Sequence, residues 1–538
     1  MSVPSGRSPH APAVFGVAGA GTMGSGIAQL GCVAGLTTRL HDPDPQALDR
    51  GLERITRQLD REVSRGRMEG AAAEAAKANL HRAPALKDLA DCELIIEAAP
   101  ERIELKRELF TRLSELVSAE CVLATNTSSL LVTALATAAS HPERVVGMHF
   151  FNPPPLMALL EVVAGLESSD RALAVARAAG EAMGKRVIEA VDGPGFLVNR
   201  CNRPFGLEGL KLLTERIATI EQIDRICRLG GGFRMGPFEL MDLVGVDTGL
   251  DVARSFYEQS FGEPRWRPSP IAVKTVAGGR HGRKAGRGYY EYPESGEHRP
   301  PDPAPPPVGG GDGLVVIAGD SQLALQLRAA AAEAGWAVAT PVEAIDGPAP
   351  QLILDLSGGE ETDAPLQGAP QAICCSAGSL SALDPGGSAI GFHALPPLGA
   401  ASLVELTRGP DSAGSAAQAA ERFFTSLGKH VEWVADAPGL VLGRIVCQVI
   451  NEAAVALGEG VGSAQDIDTG MTHGLNYPRG ILAWADEIGL EHVVNVLDSL
   501  YLERGEERYR LAPALRRLVW SGRLGRATGE GFHSYEAS

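Results

Sequence analysis

A chain of 538 residues is too long for one hydrophobic core and, at about 150 residues per domain, predicts three or four domains. Its 44% hydrophobic and 21% charged residues are the composition of globular domains, which excludes wholesale disorder. With 49 basic and 66 acidic residues the net charge is −17, which disfavours adhesion to nucleic acid or anionic lipid, so an anionic ligand needs a local positive site.

Residues 1–12 read as a polar Pro/Ser tail, with neither an export signal nor, anywhere in the chain, about 18 uninterrupted apolar residues that would span a membrane. The eight cysteines form no CxxC pair and no metal-ligand spacing, so a reduced, cytoplasmic protein without a metal is expected.

Residues 13–192 alternate apolar runs (AVFGVAG, LIIEAA, VVGMHFF) with helix-compatible segments, the pattern of a parallel α/β sheet of Rossmann type. The first run feeds into Gly19-Ala-Gly21-Thr22-Met23-Gly24, in the order strand, turn, helix. Gly19 permits the tight turn, Gly21 lets the backbone approach a pyrophosphate, and Gly24 lets helix pack closely on strand. A second strand, Leu36-Thr-Thr-Arg-Leu-His41, ends at Asp42, an acid placed to accept from a ribose diol and to repel a 2′-phosphate, so NAD is favoured over NADP. Arg50, Arg54, Arg57, Arg61 and Arg65 recur at helical spacing and form one stripe. Asp49, Glu53, Asp60 and Glu62 lie among them, so a salt-bridged solvated face competes with an anion site.

From about Gly195 to residue 292 the chain reads as helical. Residues 293–312, PESGEHRPPDPAPPPVGGGD, read as a linker, extended by Pro and released from local restraint by Gly. The organisation then repeats, a reduced Rossmann-like domain over 313–435 and a second helical domain over 436–538. Asp192-Gly-Pro-Gly195 meets Asp436-Ala-Pro-Gly439, Asp224 meets Asp468, Gly236 meets Gly480 and Asp242 meets Asp486, each pair 244 residues apart, and Gly147-Met-His149 meets Gly391-Phe-His393 at the same spacing. An internal duplication is the reading. The second copy is degenerate: its turn is Gly319-Asp320-Ser321 with Ala324 at the third position and Val342 where the acid belongs, so it is expected to bind no dinucleotide.

Asn126-Thr-Ser128-Ser129, Gly147-Met-His149-Phe-Phe-Asn-Pro153, Glu161 and Gly195-Phe-Leu-Val-Asn199-Arg200 follow the glycine turn in an order and spacing that resembles the 3-hydroxyacyl-CoA dehydrogenase family over about residues 13–292. The degenerate second half resembles longer bacterial members associated with phenylacetate and related acyl-CoA degradation, and no hydratase segment is expected ahead of the dehydrogenase. The resemblance implies NAD-dependent oxidation of an L-3-hydroxyacyl-CoA to the 3-ketoacyl-CoA.

That chemistry needs a base for the hydroxyl proton and an acceptor for hydride at one carbon. His149 is the candidate base, and Glu161, twelve residues on, the carboxylate that fixes its tautomer, with FFNPPP reversing the chain between them. By resemblance Ser128 bonds the reacting oxygen, Asn199 positions the substrate, and Glu101, Lys106 and Asn126 lie on the cofactor side with Gly19, Gly21, Thr22, Met23, Gly24 and Asp42. Arg54 and Arg57 match a helical insertion that contacts the CoA nucleotide. Dehydrogenases of small free hydroxy acids, and a catalytically silent NAD-binding scaffold, are the competing readings.

In the second copy His393 and Glu405 keep the spacing of twelve and are expected as a buried hydrogen-bonded pair without activity, because Asn199 aligns with Gly443, Ser128 with Gly378 and Asn126 with Ser376. The family's helical domains pair across a homodimer. Here residues 436–538 are expected to cover residues 193–292 within one chain, as an intramolecular pseudo-dimer, with further homodimerisation open.

Overall fold

The computed structural model describes residues 10–294, 297–344, 347–358 and 368–536. Most of the expected tail and residues 295–296 of the linker lie outside the described residues. Two compact units result, and they do not follow the linear order of the copies. One holds residues 1–200 with 460–475; the other holds 201–459 with 476–538.

In the first unit, eight short apolar strands, β1 (Val14–Ala18), β2 (Thr37–His41), β3 (Leu80–Ala83), β4 (Leu94–Glu97), β5 (Val122–Thr125), β6 (Val145–Phe150), β7 (Leu159–Ala164) and β8 (Arg186–Val191), form one sheet in the order β3-β2-β1-β4-β5-β6-β7-β8. Their runs of Val, Ile and Leu are buried on both faces, as a sheet covered by helices on each side requires. One apolar layer joins Val17, Ile96, Val146 and Leu160 to Ile27 and Ala28 of helix Thr22–Val33 and to Ala176 and Ala179 of helix Asp170–Ala182.

The sheet is not wholly parallel as expected: β7 runs antiparallel to β6. The FFNPPP segment provides the reversal, and its geometry is held by Lys185. That buried ammonium donates to Pro154 O at 2.5 Å and Met157 O at 2.7 Å, and burial without a carboxylate partner lowers it to about 8.

The second unit contains a seven-stranded sheet, β9 (Leu314–Ala318), β10 (Ala337–Ala339), β11 (Leu352–Asp355), β12 (Gln371–Cys374), β13 (Ile390–His393), β14 (Leu403–Arg408) and β15 (His430–Trp433), in the order β10-β9-β11-β12-β13-β14-β15. This is the first sheet's order without β3, and β14 is again antiparallel to β13. The remainder is helical.

The duplicated Gly and Asp positions have one physical explanation. Asp224 accepts from Phe238 N, Glu239 N and the Tyr290 hydroxyl, each at 2.9 Å. A Cβ at Gly236 would lie 2.2 Å from its Oδ1, so the acid and the glycine require each other. Burial raises the Asp224 carboxyl to about 7. Asp242 likewise accepts from Tyr289 N and Tyr290 N at 2.9 Å, and Asp486 from Phe532 N and His533 N at 2.9 Å, with Gly288 and Gly531 pressed against them.

Within the second unit the helical segments of the two copies meet over a buried ion cluster. Arg444, in helix Leu442–Gly458 of the second copy, donates to Glu208 at 2.6 and 3.0 Å, to Glu215 at 2.8 Å and to the Tyr509 hydroxyl at 2.9 Å. Burial opposes its charge, but the two carboxylates outweigh burial and raise its affinity for the proton.

The linker is not released from restraint as its Gly run suggested. Gly309 N donates to Ser426 O and Gly311 N to Ala334 O, both at 2.9 Å, while Asp302 receives Arg228 Nε at 2.9 Å.

Candidate active site

Strand register assembles the site along one edge of the first sheet. Ala18 lies beside Glu97, Glu97 beside Thr125, and Thr125 beside Gly147, so the glycine turn, Glu97, the Asn126–Ser129 turn and His149 all leave the sheet at its carboxyl edge. The order reverses between β1 and β4, the switch point where α/β sheets take ligands.

Gly19 has φ +121°, and a Cβ there would meet Ala98 O at 2.5 Å; a Cβ at Gly24 would meet Gly19 O at 1.8 Å. Around a Cβ at Gly21 there is open space within 4 Å, and as N-cap Gly21 leaves helix Thr22–Val33 without a side-chain cap. The amides of Thr22 and Met23 therefore begin a helix whose positive end is unclaimed by protein side chains, which fits a pyrophosphate. Asp42 accepts from Ala20 N at 2.8 Å and Asp44 N at 3.0 Å, and a carboxylate with these two bonds still has lone pairs for a ribose diol.

The second copy has lost this cradle: Ser321, the N-cap of helix Gln322–Glu333, turns its hydroxyl on Ala324 N at 3.3 Å, and Val342 stands 76% exposed where an acid would be needed.

His149 stands directly opposite Glu161 in the β6–β7 pair, and its Nδ1 lies 2.6 Å from Glu161 Oε2. A carboxylate only accepts, so Nδ1 carries the proton and Nε2 presents a lone pair. The other oxygen, Oε1, accepts from Leu197 N at 3.2 Å and Val198 N at 3.0 Å. These amides follow a turn in which Gly195 and Phe196 have φ +70° and +52°, and Asn199 comes next, in the first turn of helix Val198–Thr214. Phe151 and Phe196 flank the imidazole with ring centroids at 4.8 and 5.7 Å.

Asn126 Oδ1 accepts from Phe150 N at 2.9 Å and so ties the end of β5 to the residue after His149. Glu101 gathers the next turn: its Oε1 accepts from the Thr127 hydroxyl at 2.5 Å, Ser128 N at 3.1 Å and Ser129 N at 3.2 Å. Burial would raise this carboxyl, yet Lys106 and the Thr127 and Ser129 hydroxyls hold it below its usual value.

Lys106, itself buried, lies 3.1 Å from Glu101 and 2.7 Å from Glu97. Glu97 was missed in the sequence; it also receives Ala99 N at 2.6 Å and the Thr125 hydroxyl at 2.7 Å. An acid closing the apolar run LIIE was the available signal.

On helix Pro45–Ser64, Arg54 donates to the Ser25 hydroxyl at 2.8 Å. Arg50 is 3.5 Å from Asp44. Asp49, Asp60 and Glu62 pair instead with Arg82, Lys77 and Arg67. Among the described residues, Arg57 and Arg61 have no carboxylate partner.

Two expectations for the second copy are overturned. His393 does stand opposite Glu405 in register, but the two are not bonded: His393 Nε2 lies 3.1 Å from His492 Nε2, and its Nδ1 is buried without a partner. Gly443 makes room, since a Cβ there would be 2.4 Å from the imidazole. Burial keeps both rings neutral, lowering His393 well below its usual range and His492 to about 4. Glu405 meanwhile holds Val441 N at 2.8 Å and Leu442 N at 3.0 Å, as Glu161 holds its counterparts, and burial raises it to about 8.

The second correction is of alignment. Val146 pairs with Ala124 and Ile390 with Ala372, which equates Asn126 with Cys374 and Ser128 with Ser376, not with Ser376 and Gly378. The interval between the copies is 248 residues at this strand, not the 244 that holds from the histidine strand onward.

Comparison with known proteins agrees with this geometry. Residues 14–193 match the model of the 3-hydroxyacyl-CoA dehydrogenase NAD-binding domain, and residues 195–292 and 439–535 each match that of the family's C-terminal domain. The chain is 34% identical to 3-hydroxyadipyl-CoA dehydrogenase of Escherichia coli K12, over 93% of this chain and 96% of that one. A probable 3-hydroxybutyryl-CoA dehydrogenase of Deinococcus radiodurans is 40% identical over 52% of this chain and 99% of its own length. Among solved structures, 3-hydroxybutyryl-CoA dehydrogenase of Escherichia coli K12 superposes with TM-score 0.79 at 32% identity, covering 95% of this chain and 99% of that one. The described residues contain no helix long and apolar enough to cross a membrane and no cluster of metal-ligating side chains. Two matches to the C-terminal domain flanking a second sheet also account for the duplication, and the chain belongs to the 3-hydroxyacyl-CoA dehydrogenase family, as an NAD-dependent oxidoreductase of 3-hydroxyacyl-CoA.

Proposed function

We propose that residues 13–292 carry the whole chemistry, with His149 as the general base, and that residues 313–538, joined through 293–312, are catalytically silent. The observation that carries this reading is the 2.6 Å contact from Glu161 to His149 Nδ1, which leaves Nε2 as the proton acceptor. His149 takes the proton of the substrate's 3-hydroxyl, and Glu161 stabilises the imidazolium that forms. Bound NAD supplies the hydride acceptor, so no other redox group is needed. Ser128 and Asn199 donate hydrogen bonds to substrate oxygen, which stabilises alkoxide character in either direction. The amides of Gly21, Thr22, Met23 and Gly24 cradle the pyrophosphate, with Asp42 on the ribose and Glu101, Lys106 and Asn126 ordering the edge between cofactor and substrate. Arg57, joined by Arg54 on the same face, takes the CoA phosphates.

The acyl chain is assigned as a six-carbon one ending in a carboxylate, because the full-length relative is a 3-hydroxyadipyl-CoA dehydrogenase. The competing chain is 3-hydroxybutyryl, supported by the full-length structural likeness. A panel of 3-hydroxyacyl-CoA thioesters and free hydroxy acids, followed by NADH absorbance, separates these. The expected result is turnover of thioesters alone, with kcat/KM for 3-hydroxyadipyl-CoA above that for 3-hydroxybutyryl-CoA by about tenfold or more, since pocket contacts discriminate by about 1–3 kcal/mol. A preference for 3-hydroxybutyryl-CoA overturns the acyl assignment, and no turnover of any thioester overturns the active-site reading.

All eight cysteines are free and buried, which supports a cytoplasmic location, and the net charge supports a protein without nucleic-acid partners. The cluster around Arg444 supports an intramolecular pseudo-dimer of the helical segments. Homodimerisation is then not required to cover that face.

A further inference from the structure

Part of the wall behind His149 comes from the second copy. Helix Ala464–Leu475 belongs to the first unit, where it lies on β7 and β8, and Val461 O just ahead of it accepts from Val191 N at 3.1 Å. Glycines of the helix and of the turn ahead of it stand at the contact. A Cβ at Gly462 would stand 2.7 Å from the Leu197 side chain, at Gly470 2.6 Å from that of Val198, and at Gly474 2.7 Å from that of Leu159 and 3.3 Å from the Phe151 ring.

These neighbours are the residues that set the catalytic pair. The Phe151 ring packs against that of His149, with centroids 4.8 Å apart and planes tilted by 50°. The amides of Leu197 and Val198 hold Glu161, and Asn199 follows them. One residue therefore separates this segment of the second copy from His149 and from Glu161.

The duplication supplies a mirror of this contact. In the second unit, helix Ile220–Gly231 of the first copy packs on β14, and a Cβ at Gly230, 244 residues before Gly474, would stand 3.3 Å from the Leu442 side chain and 3.5 Å from Leu403 O. The sheet it braces carries the abandoned His393 site.

We propose that Gly474, together with Gly462 and Gly470, positions the catalytic residues. The silent copy thereby contributes the rear wall of the active site, through Phe151 to His149 and through Leu197 and Val198 to Glu161 and Asn199. A merely structural helix would affect stability alone. A positioning helix affects the rate through sub-ångström displacement of the base, and a misplacement of about 1 Å costs up to about a hundredfold.

The test uses the full chain with Gly474→Val, the milder Gly474→Ala, and Gly230→Val as the mirror control. The expected result is a kcat lowered about ten- to a hundredfold by Gly474→Val, and less by Gly474→Ala, with the NAD dissociation constant within twofold of wild type. Gly230→Val lowers Tm and leaves kcat within twofold. Equal kcat values for Gly474→Val and Gly230→Val, or losses of kcat and Tm in the same proportion in both, overturn the proposal. Should Gly474→Val fail to fold, Gly474→Ala decides by the same criteria.

Because the proposal rests on His149 as the base, the imidazole NMR signals of His149 are followed in parallel. Displacement of the Phe151 ring shifts them in Gly474→Ala and not in Gly230→Val, whether or not His149 proves to be the base; unshifted signals in Gly474→Ala contradict the positioning role.

Discussion

His149→Ala is expected to lower kcat by about a thousandfold, within the range that a positioned general base contributes, while NAD binding stays close to wild type. The separation follows from where the side chain is placed. His149 is the fifth of the six residues of a buried strand, and among the described residues its one side-chain polar partner is Glu161. The glycine turn is built by β1 and the start of helix Thr22–Val33, with no contribution from the imidazole. Glu161 keeps both amide bonds when the ring is removed, so the turn at Phe196 and the helix bearing Asn199 retain their support. KM for the acyl-CoA is expected to change much less than kcat, because the bond to Nε2 is strongest when the hydroxyl proton is in flight. Steady-state kinetics with calorimetric titration of NAD reads all three quantities.

Glu161 and Glu405 make the second large prediction, and the duplication turns it into a controlled pair. Glu161→Ala removes the partner of His149 Nδ1 and leaves two buried amides unpaired. It is expected to lower kcat by about a hundredfold or more. It is also expected to cost about 1–3 kcal/mol of stability, read from denaturant unfolding. Glu405→Ala strips the equivalent amides of Val441 and Leu442, so it lowers stability comparably while leaving kcat within twofold.

The pH dependence of the second copy has a definite sign. Burial raises Glu405 to about 8. The folded state therefore binds a proton that the unfolded state has released between about pH 4.5 and 8. This contribution to stability is full below about 4.5 and lost as pH rises through 8, at no more than about 1.4 kcal/mol per pH unit. The difference in stability between wild type and Glu405→Gln across this range isolates it from His393 and His492, whose depressed affinities for protons act in the opposite sense below about pH 6.5.

The glycine turn, the acid at its ribose end, the His149–Glu161 spacing and the duplication were legible in the sequence, because each depends on local residue types or on a fixed interval. What escaped depends on partners distant in the chain. Glu97 read as no more than an acid closing an apolar run, and only the register of β4 against β5 brings it, with its partner Lys106, to the Asn126–Ser129 turn. Lys185 and Lys429 are 244 residues apart and both hold the loop after the histidine strand.

The same logic explains the error over His393. A conserved spacing fixes where two backbones lie, whereas the exchange of Asn199 for Gly443 frees the space into which the side chain turns. The antiparallel β7 was hidden because a strand buried on both faces shows the same apolar run in either direction. The misplacement of Ser128 against Gly378 arose because an interval that holds from His149 onward need not hold before it.

The most direct test of the account is a crystal structure with NAD and a 3-ketoacyl-CoA bound. It is predicted to place one dinucleotide on the Gly19–Gly24 turn, none on the turn at Gly319, and the 3-oxygen of the substrate within about 3.2 Å of His149 Nε2. A substrate oxygen more than about 6 Å from that nitrogen, with another proton acceptor at hydrogen-bond distance, would contradict it.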